Sequence, residues 1–152
     1  MSLKNFVDKI EATSCTKGKT VAEVARLMKS KNIGTVVVTD KNKPVGIVSD
    51  RDLVVRCLAN SKDCQGLEIQ DIMTTPVHTI GQEASILDVV ELMGKVKVRR
   101  ICIVDSKGEA VGMVSMADVF ELLAHEVGQL AQALGRRHEK LFRRTKSLRG
   151  AA

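Results

Sequence analysis

The segment VAEVARLMKSKNI at 21–33 recurs in outline as ILDVVELMGKVKV at 86–98, an offset of 65. A second pair, KPVGIVSDRDL at 43–53 and EAVGMVSMADV at 109–119, repeats at an offset of 66. The extra residue falls between Asp40 and Gly46 in one copy and between Asp105 and Gly112 in the other, in the turn-like stretches DKNK and DSKGE. A hairpin turn tolerates an insertion most easily, so the mismatch sits where a true repeat would place it. Internal duplication restricts the fold to two similar supersecondary units sharing one core.

Each copy has the same predicted order, β-α-β-β-α. An extended start (TSC at 13–15, VHTI at 77–80) leads into a helix with apolar residues at helical spacing. These are Val21, Val24, Ala25 and Met28 in the first copy and Ile86, Val89, Val90 and Met93 in the second. Thr20 and Ser85 precede the helices as N-caps. The runs TVVVT and PVGIV, matched by ICIV and AVGMV, are β-branched and predict a strand hairpin. A second helix starts at Ser49 and at Ser115, and the later one extends past Ala124. The expected organisation is an N-terminal segment 1–12, repeat one 13–60, a linker 61–76 closed by Pro76, repeat two 77–127, and a basic C-terminal helix or tail 128–152. EIQDIM in the linker suits one helical turn.

Aromatic residues are scarce (Phe6, Phe120, Phe142), which argues against a base-stacking surface. The net charge of +6 is carried by residues 136–149, with seven basic residues and one acid, so the rest is near neutral. Leu130, Leu134, Leu141 and Leu148 form an apolar stripe there, which favours pairing with another subunit over nucleic-acid binding. No apolar run reaches membrane-spanning length and no signal-peptide stretch opens the chain, so a cytoplasmic protein is expected, with no membrane partner. Cys15, Cys57, Cys64 and Cys102 form no zinc pattern, and no metal is expected. Cys57 and Cys64 are close enough in sequence for a disulfide, but free thiols in a reducing compartment are the preferred reading. His78, His125 and His138 lack a nucleophile or carboxylate partner at meaningful spacing and are expected at the surface or in packing roles.

Both copies carry Gly-apolar-Val-Ser-x-x-Asp, Gly46–Asp52 and Gly112–Asp118. One copy alone is explained by a capping box, serine capping the helix and the acid reaching back. The same residues suit a nucleotide: a helix start and a hydroxyl offer donors to phosphate, and an ionised Asp accepts from both ribose hydroxyls.

Taken together and in order, TVAEVARLM, the Ile33–Asp40 stretch, GIVSDRDL and their second-copy partners resemble a tandem pair of CBS domains, the repeat named after cystathionine β-synthase, over residues 13–127. The resemblance implies an α+β fold, two repeats packed about a pseudo-twofold axis with an extended C-terminal helix, and two clefts that bind AMP, ADP, ATP or, less often, S-adenosylmethionine. It assigns Ser49 and Ser115 to phosphate, with Arg100 and Arg51, and Asp52 and Asp118 to ribose. Cys15, Ile80, Val48 and Val114 are expected beside the adenine. Arg100 has Thr35 as its counterpart in the first repeat, a departure that makes the second cleft wall the more cationic. The implied function is an adenine-nucleotide sensor, AMP foremost, without cofactor or catalysis, acting as a homodimer or on a regulated partner protein. Inosine-monophosphate dehydrogenases carry such pairs, but their barrel needs about 250 residues of its own. The alternative is nucleic-acid or protein binding through residues 136–149, gated by nucleotide.

Overall fold

The computed structural model describes residue 3 and residues 12–60 and 63–149, with side chains described to residue 135. The chain divides into two units, Met1–Ser115 and Met116–Ala152. The first holds β1 (Ser14–Thr16), α1 (Val21–Lys31), β2 (Thr35–Asp40), β3 (Lys43–Ser49), α2 (Asp50–Asp52), β4 (Thr79–Gly81), α3 (Ile86–Val96), β5 (Arg100–Val104) and β6 (Ala110–Ser115). After α2 the helical path continues as a π turn, Leu53–Cys57, and a 3₁₀ turn, Leu58–Asn60. The second unit is one helix, α4 (Met116–Arg149), whose side chains beyond residue 135, including the basic cluster, lie outside the described residues.

Two three-stranded sheets repeat one topology, β1-β2-β3 and β4-β5-β6. In each, the first pair is parallel and the second antiparallel. Parallel neighbours need a crossover, and α1 and α3 provide it. The central strands are the most apolar: Val36, Val37 and Val38 are fully buried, as are Ile101, Cys102 and Ile103. Thr20 and Ser85 close reciprocal capping boxes with Glu23 and Asp88. Each such cap contributes about 1 kcal/mol. Both helices end on a left-handed residue, Asn32 and Lys97. Val21, Val24 and Met28 of α1, and Ile86, Val89 and Met93 of α3, bury the predicted apolar faces. Burial of each contributes about 1.5–3 kcal/mol.

The repeat mismatch lies in the hairpin turns. In the first hairpin Lys41 and Asn42 both have positive φ, as a two-residue type I′ turn requires. The second hairpin has a longer loop with Gly108 at φ 76°. The linker supplies one 3₁₀ turn, Ile69–Asp71, at the predicted EIQDIM.

The reading of Cys57 and Cys64 as free thiols is corrected: they form a disulfide, with Cα atoms 6.2 Å apart. Cys57 faces the core from the π turn, and the 63–67 turn brings Cys64 back, its carbonyl accepting from Ala22 N at 2.9 Å. That proximity depends on the linker's path, which residue spacing does not reveal.

Candidate functional site

Strand alternation builds the site. Val48 points into the core and is fully buried, so its neighbours Ile47 and Ser49 face the other side. Thr35 stands opposite Ser49 in the β2–β3 ladder. The linker then closes one wall: Thr74 bridges to Ile47, with backbone hydrogen bonds of 2.8 and 3.1 Å, and carries Thr75, Pro76, Val77 and His78 past the strand end. Val98, Arg99 and Arg100, at the entry to β5, complete a cleft of about 380 Å³ that also contains Asp52.

Within it, Ser49 and Asp52 form the reciprocal cap expected of the motif. Ser49 N and Oγ donate to Asp52 Oδ2 at 2.8 and 2.7 Å, and Asp52 N donates to Ser49 Oγ at 3.3 Å. The other carboxylate oxygen meets Arg56 Nε at 3.3 Å, and Arg56 Nη1 donates to the Ile72 carbonyl at 2.7 Å. Asp52 is thus oriented from both sides, and Arg56 ties it to the linker. Gly46 is needed because the Met73 side chain packs over it: a Cβ would lie 2.8 Å from Met73 Cγ. The approaching group is a linker side chain.

Thr35 is 7% exposed, and among the described residues its Oγ1 has no hydrogen-bond partner. An unpaired buried hydroxyl costs about 1–3 kcal/mol. Thr35 lines the cleft together with Ser49, Arg99 and Arg100.

Ser49, Asp52 and Arg100 come together as cleft residues. The arginines of the second repeat border the cleft holding the first repeat's Ser–Asp pair. Arg51 is exposed, its amide donating to Asp50 Oδ1 at 2.8 Å, and lies outside the cleft lining. Val48 and Val114 are fully buried in the core, and Ile47 takes the cleft-facing place expected of Val48. Cys15 and Ile80 are half-buried in β1 and β4 and are not part of this lining. Burial pushes the Cys15 thiol, and likewise that of Cys102, up to about 11. Ser115 ends β6 opposite Arg100 in the ladder, and Asp118 lies in the first turn of α4.

Residue patterns alone did not single out Thr35, Ile47, Arg99 or His78 as a group. Ile47 was accessible from period-2 alternation counted back from Ser49. His78 was not, because its place depends on the linker's route.

A family model described as the CBS domain matches residues 5–58 and 69–125. An uncharacterized protein of Methanopyrus kandleri is 32% identical over 124 residues, covering 81% of this chain and 63% of that protein. The chain therefore spans less than two thirds of that relative's length. A CBS domain protein of Pyrobaculum aerophilum, solved in complex with AMP, is 26% identical with a TM-score of 0.67, over 78% of this chain and 89% of that one. A CBS domain pair solved with 5′-methylthioadenosine and S-adenosyl-L-methionine matches with a TM-score of 0.68 at 23% identity, over 83% of this chain and 98% of that one, which speaks to fold alone. The doubled sheet topology, the doubled motif and the doubled family match agree: this chain belongs to the CBS domain family, as a tandem pair of repeats.

Proposed function

We propose that the chain is a regulatory module that binds an adenine nucleotide, AMP foremost, and carries out no catalysis with these residues. The observation that carries this reading is the unpaired, buried Thr35 hydroxyl beside Ser49, Asp52, Arg99 and Arg100 in one cleft. Arg99 and Arg100 offset the phosphate charge, and Ser49 and Thr35 donate hydroxyl protons to its oxygens. Asp52 accepts from the ribose hydroxyls. An ionised carboxylate has about four acceptor positions. Ser49 Oγ occupies one of those on Asp52. When that hydroxyl turns to phosphate, the position opens for ribose. Ile47, Pro76 and Val77 offer an apolar wall for the base. Two arginines disfavour the sulfonium of S-adenosylmethionine relative to AMP, ADP or ATP. In the sequence, Ser115 and Asp118 are the second repeat's counterparts of Ser49 and Asp52.

Regulation requires that the ligand bind two states unequally. The Asp52–Arg56 pair and the Arg56–Ile72 hydrogen bond link the ribose position to the helical segment and linker, so occupancy biases both. The responding body is a homodimer of the chain or a regulated partner protein, in the cytoplasm. Titration with a fluorescent AMP analogue, with AMP, ADP, ATP and S-adenosylmethionine as competitors, tests the reading. Saturable binding displaced by AMP, and weakened at least tenfold in Ser49→Ala, is expected. Absence of saturable binding would leave Ser-x-x-Asp as a helix cap only.

A further inference from the structure

Helix α4 carries an apolar seam that neither the repeats nor the nucleotide site explains. Phe120, Leu123, Val127, Leu130 and Leu134 follow one another at spacings of three and four, the a and d positions of a heptad. All five are exposed, between 45% and 66%. The positions flanking them are small: Ala124 and Ala131 on one side, Ala133 on the other, with Glu126 the single charge. The same a column continues in sequence through Leu141 and Leu148, while Arg137 and Arg144 take the next two d positions.

We infer that residues 120–134 of α4 form an antiparallel two-stranded coiled coil with the same helix of a second copy of this chain. The inference deepens the homodimer of the proposed function and rests on that association, not on nucleotide binding. Five partly exposed large side chains leave on the order of 500 Å² of apolar surface per copy, about 1,000 Å² for a pair, near the lower limit of specific interfaces. A contiguous apolar patch of about 500 Å² is at the upper end of what a monomer exposes, and a patch of that size commonly marks an interaction surface. The alanine flanks let two helices approach closely and set no like charges against each other. The orientation follows from the arginines. A parallel pair would bring two Arg137 residues into one layer, then two Arg144. An antiparallel pair centred between Val127 and Leu130 sets Val127 against Leu130 and Leu123 against Leu134 of the other copy. It separates the two Arg137 positions, setting each at the layer of Phe120. Each residue then meets a residue that meets it in return, the self-complementarity a twofold pair requires.

The full chain is examined by analytical ultracentrifugation beside a Val127→Glu, Leu130→Glu variant, with circular dichroism as the control for folding. Both sites are exposed, so the repeats are expected to remain folded. The expected result is a wild-type dimer whose dissociation constant rises at least tenfold in the variant, with fluorescent AMP binding retained. A folded variant that dimerises as tightly as wild type overturns the seam while leaving the homodimer standing. A wild-type chain that stays monomeric at tens of micromolar overturns both. Orientation is read by oxidative cross-linking with wild type as background. Leu123→Cys mixed with Leu134→Cys is expected to cross-link, whereas Leu123→Cys alone is not, its two copies lying about 16 Å apart along the axis. The reverse pattern overturns the antiparallel arrangement.

Discussion

Replacing Thr35 with valine is expected to raise stability and weaken ligand binding together. Thr35 is 7% exposed and its hydroxyl lacks a partner among the described residues. Valine keeps the branched shape that the strand favours and exchanges the hydroxyl for a methyl group. Removing an unsatisfied buried hydroxyl recovers about 1–3 kcal/mol. For a chain of this size each kcal/mol moves the melting temperature by about 2–4 °C, so a rise of roughly 2–12 °C is expected in a ligand-free thermal melt. Binding shifts the other way. A hydrogen bond to a charged phosphate contributes about 1.5–3 kcal/mol. Its loss weakens AMP binding by about 10-fold to 150-fold in calorimetric titration. A valine variant that melts lower than wild type and binds AMP equally well would refute the reasoning, because the hydroxyl would then serve the fold and not a ligand.

Three further outcomes follow from the same contacts. Gly46→Ala drives a Cβ to 2.8 Å from Met73 Cγ and should destabilise by about 1–3 kcal/mol in urea unfolding, with partial recovery in a Gly46→Ala, Met73→Ala double variant. Reducing the Cys57–Cys64 disulfide, or replacing Cys64 with serine, should lower stability by about 2 kcal/mol, the value for so short a loop, read as a melt in the presence and absence of reductant. Glu23 is held down to about 2 by hydrogen bonds from Lys19 and then from Thr20, below its ordinary 4.5. Its folded value is the lower one, so its contribution to stability is complete above about pH 4.5 and is lost as pH falls toward 2. Melting temperatures of Glu23→Gln should therefore depend less on pH across that window than those of wild type.

The elements of the fold were legible wherever local pattern determines them. Helical spacing from Val21 and Ile86, capping at Thr20 and Ser85, and β-branched runs at 35–39 and 101–104 each became the element they predict. The one-residue mismatch between copies fell in the hairpin, since a loop absorbs an insertion without shifting the ladder. Ser49 and Asp52 were legible because a motif on one strand–helix junction places its own residues. Val48 was misplaced by one residue, which in a strand means the opposite face. The meeting of Arg99, Arg100 and His78 with Ser49 depends on two segments about 50 and about 30 residues away in sequence and on the linker bridge at Thr74, which no local pattern encodes. The disulfide was missed for the same reason.

Calorimetric titration decides whether the Ser–Asp pairs bind an adenine nucleotide. Purified chain is titrated with AMP, ADP, ATP and S-adenosylmethionine, beside an Asp52→Ala, Asp118→Ala variant whose folding is checked by circular dichroism. Micromolar binding of at least AMP by wild type, and its loss in the folded double variant, are expected. Binding that survives in the double variant, or no heat from any of the four ligands with wild type, would contradict nucleotide binding by these pairs.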